Sequence, residues 1–227
     1  MLLLITDTSG KDGFVGLVRA GEAGNESPID VVEEIPLAGG TFSAQLVPQI
    51  SALLNQHGVR KPDIGAFIVV SGPGSFTGLR VGLAAIKAFA EILHRPIVPV
   101  SLLEVIALES GAQSVWASLD AGRGEVYFAE YRVIEGVPSL LRERLLRKDE
   151  FRSSTVDVPV ATPDSALAEI ARQAGIRAIV IKAPRAEAVA RLGWSKLQRG
   201  ETVAPEQLDA NYVRRSDAEI VKPIAGS

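Results

Sequence analysis

The chain has no cysteine and few of the other residues that commonly carry chemistry. Among its 227 residues there is one methionine and there are two histidines, and aromatic residues make up 5%. Without thiols the chain can form neither disulfide bonds nor thiolate metal sites, and it has no cysteine nucleophile. A lack of cysteine also fits a reducing compartment. The sequence therefore excludes the function classes that depend on sulfur chemistry.

The net charge is small, and long apolar runs are missing from the sequence as well. The formal net charge is −3 and the isoelectric point is about 5.5, which gives no support to nucleic-acid binding by the chain alone. No apolar run approaches the ~18 residues that span a bilayer. The apolar start reaches Asp7 too early for a signal peptide. We therefore expect a cytoplasmic protein without a membrane segment.

The most informative stretch is a glycine-rich turn at residues 71–80, between an apolar strand pattern and a long helical pattern. Gly72, Pro73 and Gly74 predict a structural turn, because glycine reaches positive φ and proline fixes φ. The turn does not match the Gly-x-x-x-x-Gly-Lys-Ser/Thr nucleotide loop, since Pro73 stands at the first glycine position and Leu79 replaces the lysine. The dinucleotide and serine-hydrolase glycine motifs also fail at this position.

The helix that follows the turn is apolar nearly all round, and Gly78 and Gly82 are spaced to let another element approach closely. Such a helix must be covered on more than one side. Two interpretations fit: a fully buried core helix, or a helix with one face in a subunit interface.

A second candidate site is Asp7-Thr8-Ser9, which directly follows the first apolar strand pattern. A carboxylate and two hydroxyls at such a turn can hold a magnesium water and a phosphate. The same residues are also common in turns, where they bond to their own backbone, and on the residues alone this second interpretation is favoured.

Both halves of the chain begin with a strand–turn–strand pattern and continue with mixed helices and strands. In the first half, strands are predicted at residues 2–6, 14–18, 31–35, 66–70 and 97–100, and helices at about 43–56 and from the glycine turn to about 93. In the second half, helices are predicted at 102–109, 165–174 and 185–192, and strands at 115–119, 125–133 and 178–181. Residues 140–152 are predicted as an exposed strand edge or a loop. We place the division at residues 1–101 and 102–227, with a tail that packs back on the first lobe.

Several motifs together resemble the TsaB (YeaZ-like) subunits of the bacterial tRNA threonylcarbamoyl-adenosine machinery. They are Leu4-Ile5-Thr6-Asp7-Thr8-Ser9, the helix start at Phe42-Ser43, Gly72-Pro73-Gly74-Ser75-Phe76-Thr77-Gly78-Leu79-Arg80, Val100-Ser101-Leu102-Leu103-Glu104, Asp120-Ala121-Gly122-Arg123-Gly124-Glu125-Val126-Tyr127 and Asn211-Tyr212-Val213-Arg214. The likeness covers the first ~130 residues well and is loose between about residues 134 and 207.

The resemblance implies an α/β fold of the actin/Hsp70/sugar-kinase class, with mixed sheets in two lobes and the second lobe reduced. It also implies a non-catalytic subunit that binds a catalytic TsaD-like subunit and works with a TsaE-like ATPase, meeting tRNA only through the complex. The catalytic paralogue carries a metal-binding His-x-x-x-His, and Leu102 and Ile106 stand at the corresponding positions here. We therefore predict no metal site and no catalytic residue.

The predicted partner interface lies on two N-lobe helices, and the isolated chain is predicted to form a homodimer through it. Its residues are Leu46, Ile50, Leu53, Gly78, Gly82, Ala85 and Phe89. Asp7, Thr8 and Ser9 are predicted as a vestigial nucleotide site. No cofactor of its own is expected; ATP or ADP with magnesium at an interface shared with the complex is the remaining option.

Three other functions stay open at this stage. The first is a stand-alone kinase or ATPase of the same fold class, and the second is a metallopeptidase. The third is direct tRNA binding by a basic patch of Arg142, Arg144, Arg147, Lys148 and Arg152, although acidic residues interrupt that run.

Overall fold

The structure, a computed structural model, describes residues 1–21, 29–153, 157–211 and 213. It divides into two α/β lobes, each built on a five-stranded mixed sheet. The first lobe contains β1 (Leu2–Asp7), β2 (Asp12–Ala20), β3 (Ile29–Ala38), α1 (Phe42–Gln56), β4 (Ile64–Gly72), α2 (Phe76–Leu93) and β5 (Ile97–Ser101). Then follow α3 (Leu102–Glu109), β6 (Ser114–Gly122), β7 (Glu125–Ile134), β8 (Val137–Arg147), α4 (Lys148–Ser153), β9 (Val160–Thr162), α5 (Ser165–Gln173), β10 (Ala178–Val180) and α6 (Ala186–Gln198).

The first sheet has the strand order β3-β2-β1-β4-β5. Strand β1 lies at its centre, antiparallel to β2 and parallel to β4, so that Leu4 is opposite Leu17 on one side and Phe67 on the other. Both faces of this sheet are covered, which is why β1 and β4 are apolar without alternation. The strands predicted at residues 2–6 and 66–70 are therefore confirmed.

Helices α1 and α2 cover one face of the first sheet, and α3 and α6 cover the other. Leu4 packs in a cluster with Ile50 of α1 and Ile86 of α2, whereas Leu3 packs with Val105 of α3 and Val189 of α6. Because neighbouring residues of a strand point to opposite faces, β1 contributes to both clusters. The Asp7 end of β1 is thus held between two helical layers.

The second sheet repeats the topology of the first, with the order β8-β7-β6-β9-β10. Strands β9 and β10 have only three residues each, so this lobe is the reduced one. On one face Trp116 and Phe128 meet edge-to-face at 4.3 Å between ring centroids and pack with α4 and α5. On the other face lies α3, whose Leu103 and Ile106 contact this sheet while Val105 faces the first. Helix α3 therefore joins the two lobes.

The chain returns to the first lobe after β10. Helix α6 buries Ala186, Val189 and Leu192 against the first sheet. Beyond it, Val203 forms an antiparallel bridge with Ile97 of β5, and Leu208 is buried in the cluster under α1 and α2. Residue 101 ends β5 and residue 102 begins α3. The division of the chain into lobes at residues 101/102 stays a prediction. Helix α6 and the residues after it pack on the first lobe.

The charged segment at residues 140–152 forms most of the edge strand β8 and then helix α4. The predicted strand edge is therefore confirmed for residues 140–147, whereas residues 148–152 form a helix because Phe151 is buried in the core of the second lobe. The short strand β9 was not predicted, because three residues give too little periodicity to stand out.

Candidate functional site

A large open cleft of about 1270 Å³ lies between the two lobes. The first lobe contributes the residues after β1, the start of α1, and the glycine turn with the first turn of α2. The second lobe contributes the hairpin turn between β6 and β7 and the side chain of Tyr127. Asn211 and Val213, near the end of the chain, also line it. The Gly72–Gly74 turn and the residues after Asp7 therefore meet at one place, although they are far apart in sequence.

Asp7, Thr8 and Ser9 form a buried turn at the end of β1. Asp7 Oδ1 accepts hydrogen bonds from the backbone N–H and the hydroxyl of Ser9, at 2.8 and 2.6 Å. The hydroxyl of Thr8 donates to the carbonyl oxygen of Gly78 at 2.8 Å. Burial raises the pKa of the Asp7 carboxyl above its ordinary value, and the two bonds from Ser9 only partly oppose this. The polar groups of this turn are thus used inside the chain, and of the three residues Ser9 alone lines the cleft.

Helix α2 packs on this turn through its glycines. A methyl group at Gly74 would overlap the carbonyl oxygen of Ser9, one at Gly78 that of Thr8, and one at Gly82 the hydroxyl of Thr8. Gly78 and Gly82 are four apart and so lie on the same side of α2, and Gly74 precedes the helix in the glycine turn. The three glycines together form a smooth strip along which the Thr8–Ser9 turn lies. The backbone N–H of Ser75 also donates to the carbonyl oxygen of Ser9 at 2.7 Å. The glycines serve close packing within the chain.

The predicted turn at Gly72-Pro73-Gly74 is present, and it begins α2. Gly72 has a φ of +137°, which side chains rarely tolerate, and a Cβ there would lie 2.8 Å from the carbonyl oxygen of Asn211. The Ser75 hydroxyl accepts from the backbone N–H of Gly78 at 3.3 Å and caps the helix.

Cationic side chains line the cleft on both walls. Lys11 and Arg80 belong to the first lobe and Arg123 to the second. The guanidinium of Arg80 lies 3.7 Å from the ring centroid of Phe76. Asp120, the acidic residue of the lining, is paired with Lys148 at 3.1 Å. The lining of the cleft therefore contains three cationic side chains and one carboxylate.

The structure changes the placement of most predicted interface residues. Leu46, Ile50 and Leu53 are buried in the core beneath α1, and Gly78 and Gly82 face Thr8. These five positions are inside the chain, because the apolar face of each helix is needed to cover the first sheet. Ala85 and Phe89 are half-buried on α2. An interface on these helices must therefore use their outward sides.

The outward sides of α1 and α2 form an exposed surface of small and apolar residues. The two helices pack against each other on the same face of the sheet. The side chain of Val47 is 47% exposed and that of Ile92 76%. We call this surface the α1–α2 face and define it by the exposed residues Ala44, Val47, Pro48, Ala84, Ala88 and Ile92.

The described residues offer little support for the other predicted chemistries. Within the ranges that the structure describes, no three His, Asp or Glu side chains are grouped so that they could hold a metal ion. Of the basic patch, Arg142 is paired with Glu130, Arg147 with Asp149, and Lys148 with Asp120. No helix in the described parts of the chain is long and apolar enough to cross a membrane.

Sequence reasoning gave no role to Arg123, Tyr127 or Asn211, which lie together at the cleft. Tyr127 donates its hydroxyl to the carbonyl oxygen of Gly74 at 3.4 Å, across the lobes. The available signal was that all three belong to motifs shared with a known family. Asn211 belongs to the motif Asn211-Tyr212-Val213-Arg214, of which Tyr212 and Arg214 lie outside the described residues.

Comparison with known proteins identifies the family. Residues 36–150 match the family model described as "TsaD: tRNA N6-adenosine threonylcarbamoyltransferase", which is just over half of the chain. The chain is 29% identical over 187 residues to the tRNA threonylcarbamoyladenosine biosynthesis protein TsaB of Escherichia coli, covering 77% of this chain and 81% of that protein. It is 32% identical to TsaB of Bacillus subtilis over 60% of this chain, a match that spans 58% of the relative.

Solved structures agree with the sequence matches. YeaZ from Pseudomonas aeruginosa superposes with a TM-score of 0.71 at 27% identity, covering 92% of this chain and all of that one. A second structure, titled as an uncharacterized protein with similarity to peptidase YeaZ from the same organism, gives a TM-score of 0.73 at 28% identity over 94% of this chain and 99% of its own. The predicted actin-like class of two α/β lobes is confirmed. The chain belongs to the TsaD protein family, within which it is a TsaB (YeaZ-like) member.

Proposed function

We propose that this chain is a non-catalytic subunit required for threonylcarbamoylation of tRNA adenosine 37, and that it binds and stabilises a TsaD-like catalytic subunit. The observation that carries the proposal is the α1–α2 face, an exposed apolar surface on a chain whose relatives are named as threonylcarbamoyladenosine biosynthesis proteins. An apolar surface on two packed helices is costly to leave in water and typical of an interface.

The partner proposed for this face is the TsaD-like subunit rather than an unrelated protein. The chain itself matches the TsaD family model, so a TsaD-like partner has equivalent helices. Two equivalent helical faces can pack about a pseudo-twofold axis, as identical ones do in a homodimer. The same geometry accounts for the proposed homodimer of the isolated chain. The proposed complex also contains a TsaE-like ATPase, and the chain meets tRNA only through this complex. Its proposed location is the cytoplasm.

The state of the Asp7–Ser9 turn supports a non-catalytic role. Its carboxylate and both hydroxyls hydrogen-bond to the turn itself or to α2. Leu102 and Ile106, which stand where the resemblance places the metal ligands of the catalytic paralogue, are apolar, and Ile106 is fully buried. Asp7 and Thr8 do not line the cleft, and Ser9, which does, donates its hydroxyl to Asp7.

ATP or ADP with magnesium remains a proposal for the assembled complex, in which a partner would complete the site. Lys11, Arg80 and Arg123 could meet its phosphates in the cleft between the lobes. The alternative, a stand-alone kinase or ATPase, would require the purified chain to turn over ATP, and robust turnover without a partner would favour it.

The proposal is tested by depleting the protein in cells and measuring threonylcarbamoyl-adenosine in digested tRNA by mass spectrometry. We expect the modification to disappear and to return when the wild-type chain is supplied. Persistence of the modification at its normal level would contradict the proposed function.

The α1–α2 face is tested separately by the substitution Ala88→Glu, which places a charge on its exposed centre. We expect the folded variant to stop co-eluting with the TsaD-like subunit and to fail in the rescue experiment. The control is Ala166→Glu, because Ala166 is also an exposed helical alanine but lies on α5 of the other lobe. Normal co-elution of Ala88→Glu would remove this face from the proposal.

A further inference from the structure

The residues after α6 cross the molecule from the edge of the first sheet to the cleft. We call residues 201–211 the C-terminal strap. The backbone N–H of Val203 donates to the carbonyl oxygen of Ile97 at 2.9 Å, and Pro205–Gln207 form a short 3-10 turn that packs on α2. Leu208 is then 1% exposed in the core under α2. The strap is therefore fixed to the first lobe along most of its length.

At its end the strap contacts both lobes through one residue. The backbone N–H of Asn211 donates to the carbonyl oxygen of Ser71 at 2.7 Å, in the first lobe. The side-chain amide of Asn211 lies 3.1 and 3.0 Å from the two carboxylate oxygens of Glu143, on β8 of the second lobe. The bond to a half-buried carboxylate is stronger than one between neutral groups. Asn211 thus links β8 to the start of the glycine turn.

The glycine turn receives a second contact from the same lobe. The Tyr127 hydroxyl donates to the carbonyl oxygen of Gly74, and the carbonyl oxygen of Asn211 stands where a side chain at Gly72 would be. Residues 72–74 are accordingly held between the first lobe, the strap and the second lobe. Asn211, Tyr127 and Gly74 also line the cleft, so whatever enters it meets these contacts directly.

We propose that the chain Glu143–Asn211–Ser71 is an interlobe clamp that sets the opening of the cleft and the position of the first turn of α2. Releasing the Asn211 side chain from Glu143 leaves the longer Tyr127–Gly74 hydrogen bond as the contact between the lobes at the cleft, together with α3 and α6, which do not line the cleft. The second lobe then rotates outward, and the glycine turn loses its support from that side. An occupant of the cleft would act on α2 through the same residues.

The clamp predicts a specific change in cleft width that can be measured on the full chain. Because the chain has no cysteine, the pair Ser43→Cys and Arg123→Cys places two spin labels on opposite walls. Adding Asn211→Leu, which keeps the side-chain size and the backbone bond to Ser71, should produce a second, longer distance population. The matched control is Asn55→Leu, at an exposed position on α1.

Amide hydrogen exchange tests the effect on α2. In Asn211→Leu we expect residues 72–80 to exchange about tenfold faster, while β1 and β4 stay protected. Glu143→Ala removes the other partner without touching the strap and should give the same pattern, which keeps the test valid if Asn211→Leu does not fold. An unchanged label distance, or faster exchange confined to residues 201–211, would overturn the clamp. None of these measurements depends on the proposed tRNA function.

Discussion

The two lobes have the same strand order, but the end of the first strand is buried in the first lobe and exposed in the second. Strand β1 ends at Asp7, in a buried turn covered by α2, whereas β6 runs past Asp120 into a turn open to the cleft. The carboxylate of Asp7 is bonded to Ser9, and that of Asp120 is paired with the exposed Lys148. Equivalent positions in the topology thus hold one buried and one exposed carboxylate.

The helix that follows the fourth strand of each lobe explains this difference. In the first lobe α2 has glycine at 78 and 82, with Gly74 in the turn before it, and lies directly on the Thr8–Ser9 turn. In the second lobe α5 begins at a different cap, where Asp164 accepts from the backbone N–H groups of Ala166 and Leu167. Since α5 makes no such approach through glycine, the β6–β7 turn remains a wall of the cleft. The two lobes therefore share a topology, but a few local residues determine whether each strand end is buried or lines the cleft.

The largest expected effect comes from Gly78→Ala. Alanine is the better helix former by about 1 kcal/mol, yet its methyl group would overlap the carbonyl oxygen of Thr8, which is backbone and cannot move aside. We expect a loss of about 3 kcal/mol in the free energy of unfolding, measured in urea. Gly21→Ala is the control, because nothing lies near that position. Unchanged stability would show that the fold does not depend on the close contact between α2 and Thr8.

Removing the hydroxyl that faces α2 should have a smaller effect. Thr8→Val keeps the shape but removes the hydroxyl that donates to the carbonyl oxygen of Gly78. We expect a loss of about 2 kcal/mol in the same urea experiment. A change in the free energy of unfolding below a few tenths of a kcal/mol would mean that the glycines alone hold the Thr8–Ser9 turn against α2.

The cap of α5 provides the corresponding test in the second lobe. Asp164→Ala removes the acceptor for two backbone N–H groups and should cost about 1 kcal/mol. Asp164→Asn, which can still cap, should retain most of the stability. If both variants are equally unstable, the role of Asp164 lies elsewhere than in capping.

The smallest effect, and the only expected gain, concerns Asp7→Asn. Burial raises the pKa of the Asp7 carboxyl, so its charged form is disfavoured in the folded chain relative to the unfolded one. The wild type therefore loses stability as pH rises from the ordinary value through the raised pKa. The variant should be more stable at neutral pH, and its advantage should vanish as pH falls through that pKa.

Asp120→Asn serves as the comparison for this pH experiment, since its carboxylate is exposed and its ion pair with Lys148 contributes under about 1 kcal/mol. Urea midpoints at a series of pH values measure both variants. A destabilised Asp7→Asn at neutral pH would show that the charge is compensated within the fold.

Much of the first lobe could be predicted from the sequence. The helix predicted to run from the glycine turn to about residue 93 ends at Leu93, and α3 was predicted over its full length. These segments have strong periodicity and clear ends in glycine or proline. The missed strand β9 is too short for such a signal, and the neighbouring helix α6 extends six residues beyond the predicted 192.

The candidate site was less predictable, because periodicity marks a face as apolar without saying what covers it. Leu46 and Val47 both belong to apolar sides of α1, yet one is buried and the other half exposed. Gly78 and Gly82 signal close approach, but the approaching element is Thr8 of the same chain. The clamp joins Glu143 to Asn211 across 68 positions, and no local pattern encodes such a pair.

By itself the sequence determined the order of the main elements, the exclusion of thiol chemistry and the tight turn before α2, since these follow from local propensity and composition. Only the tertiary structure decided which side of each helix faces the core, that α2 lies on Thr8, and that Asn211 reaches both lobes. The physical reason is that burial and long-range hydrogen bonds depend on which segments are brought together, and two repeats with the same strand order can bring different residues together.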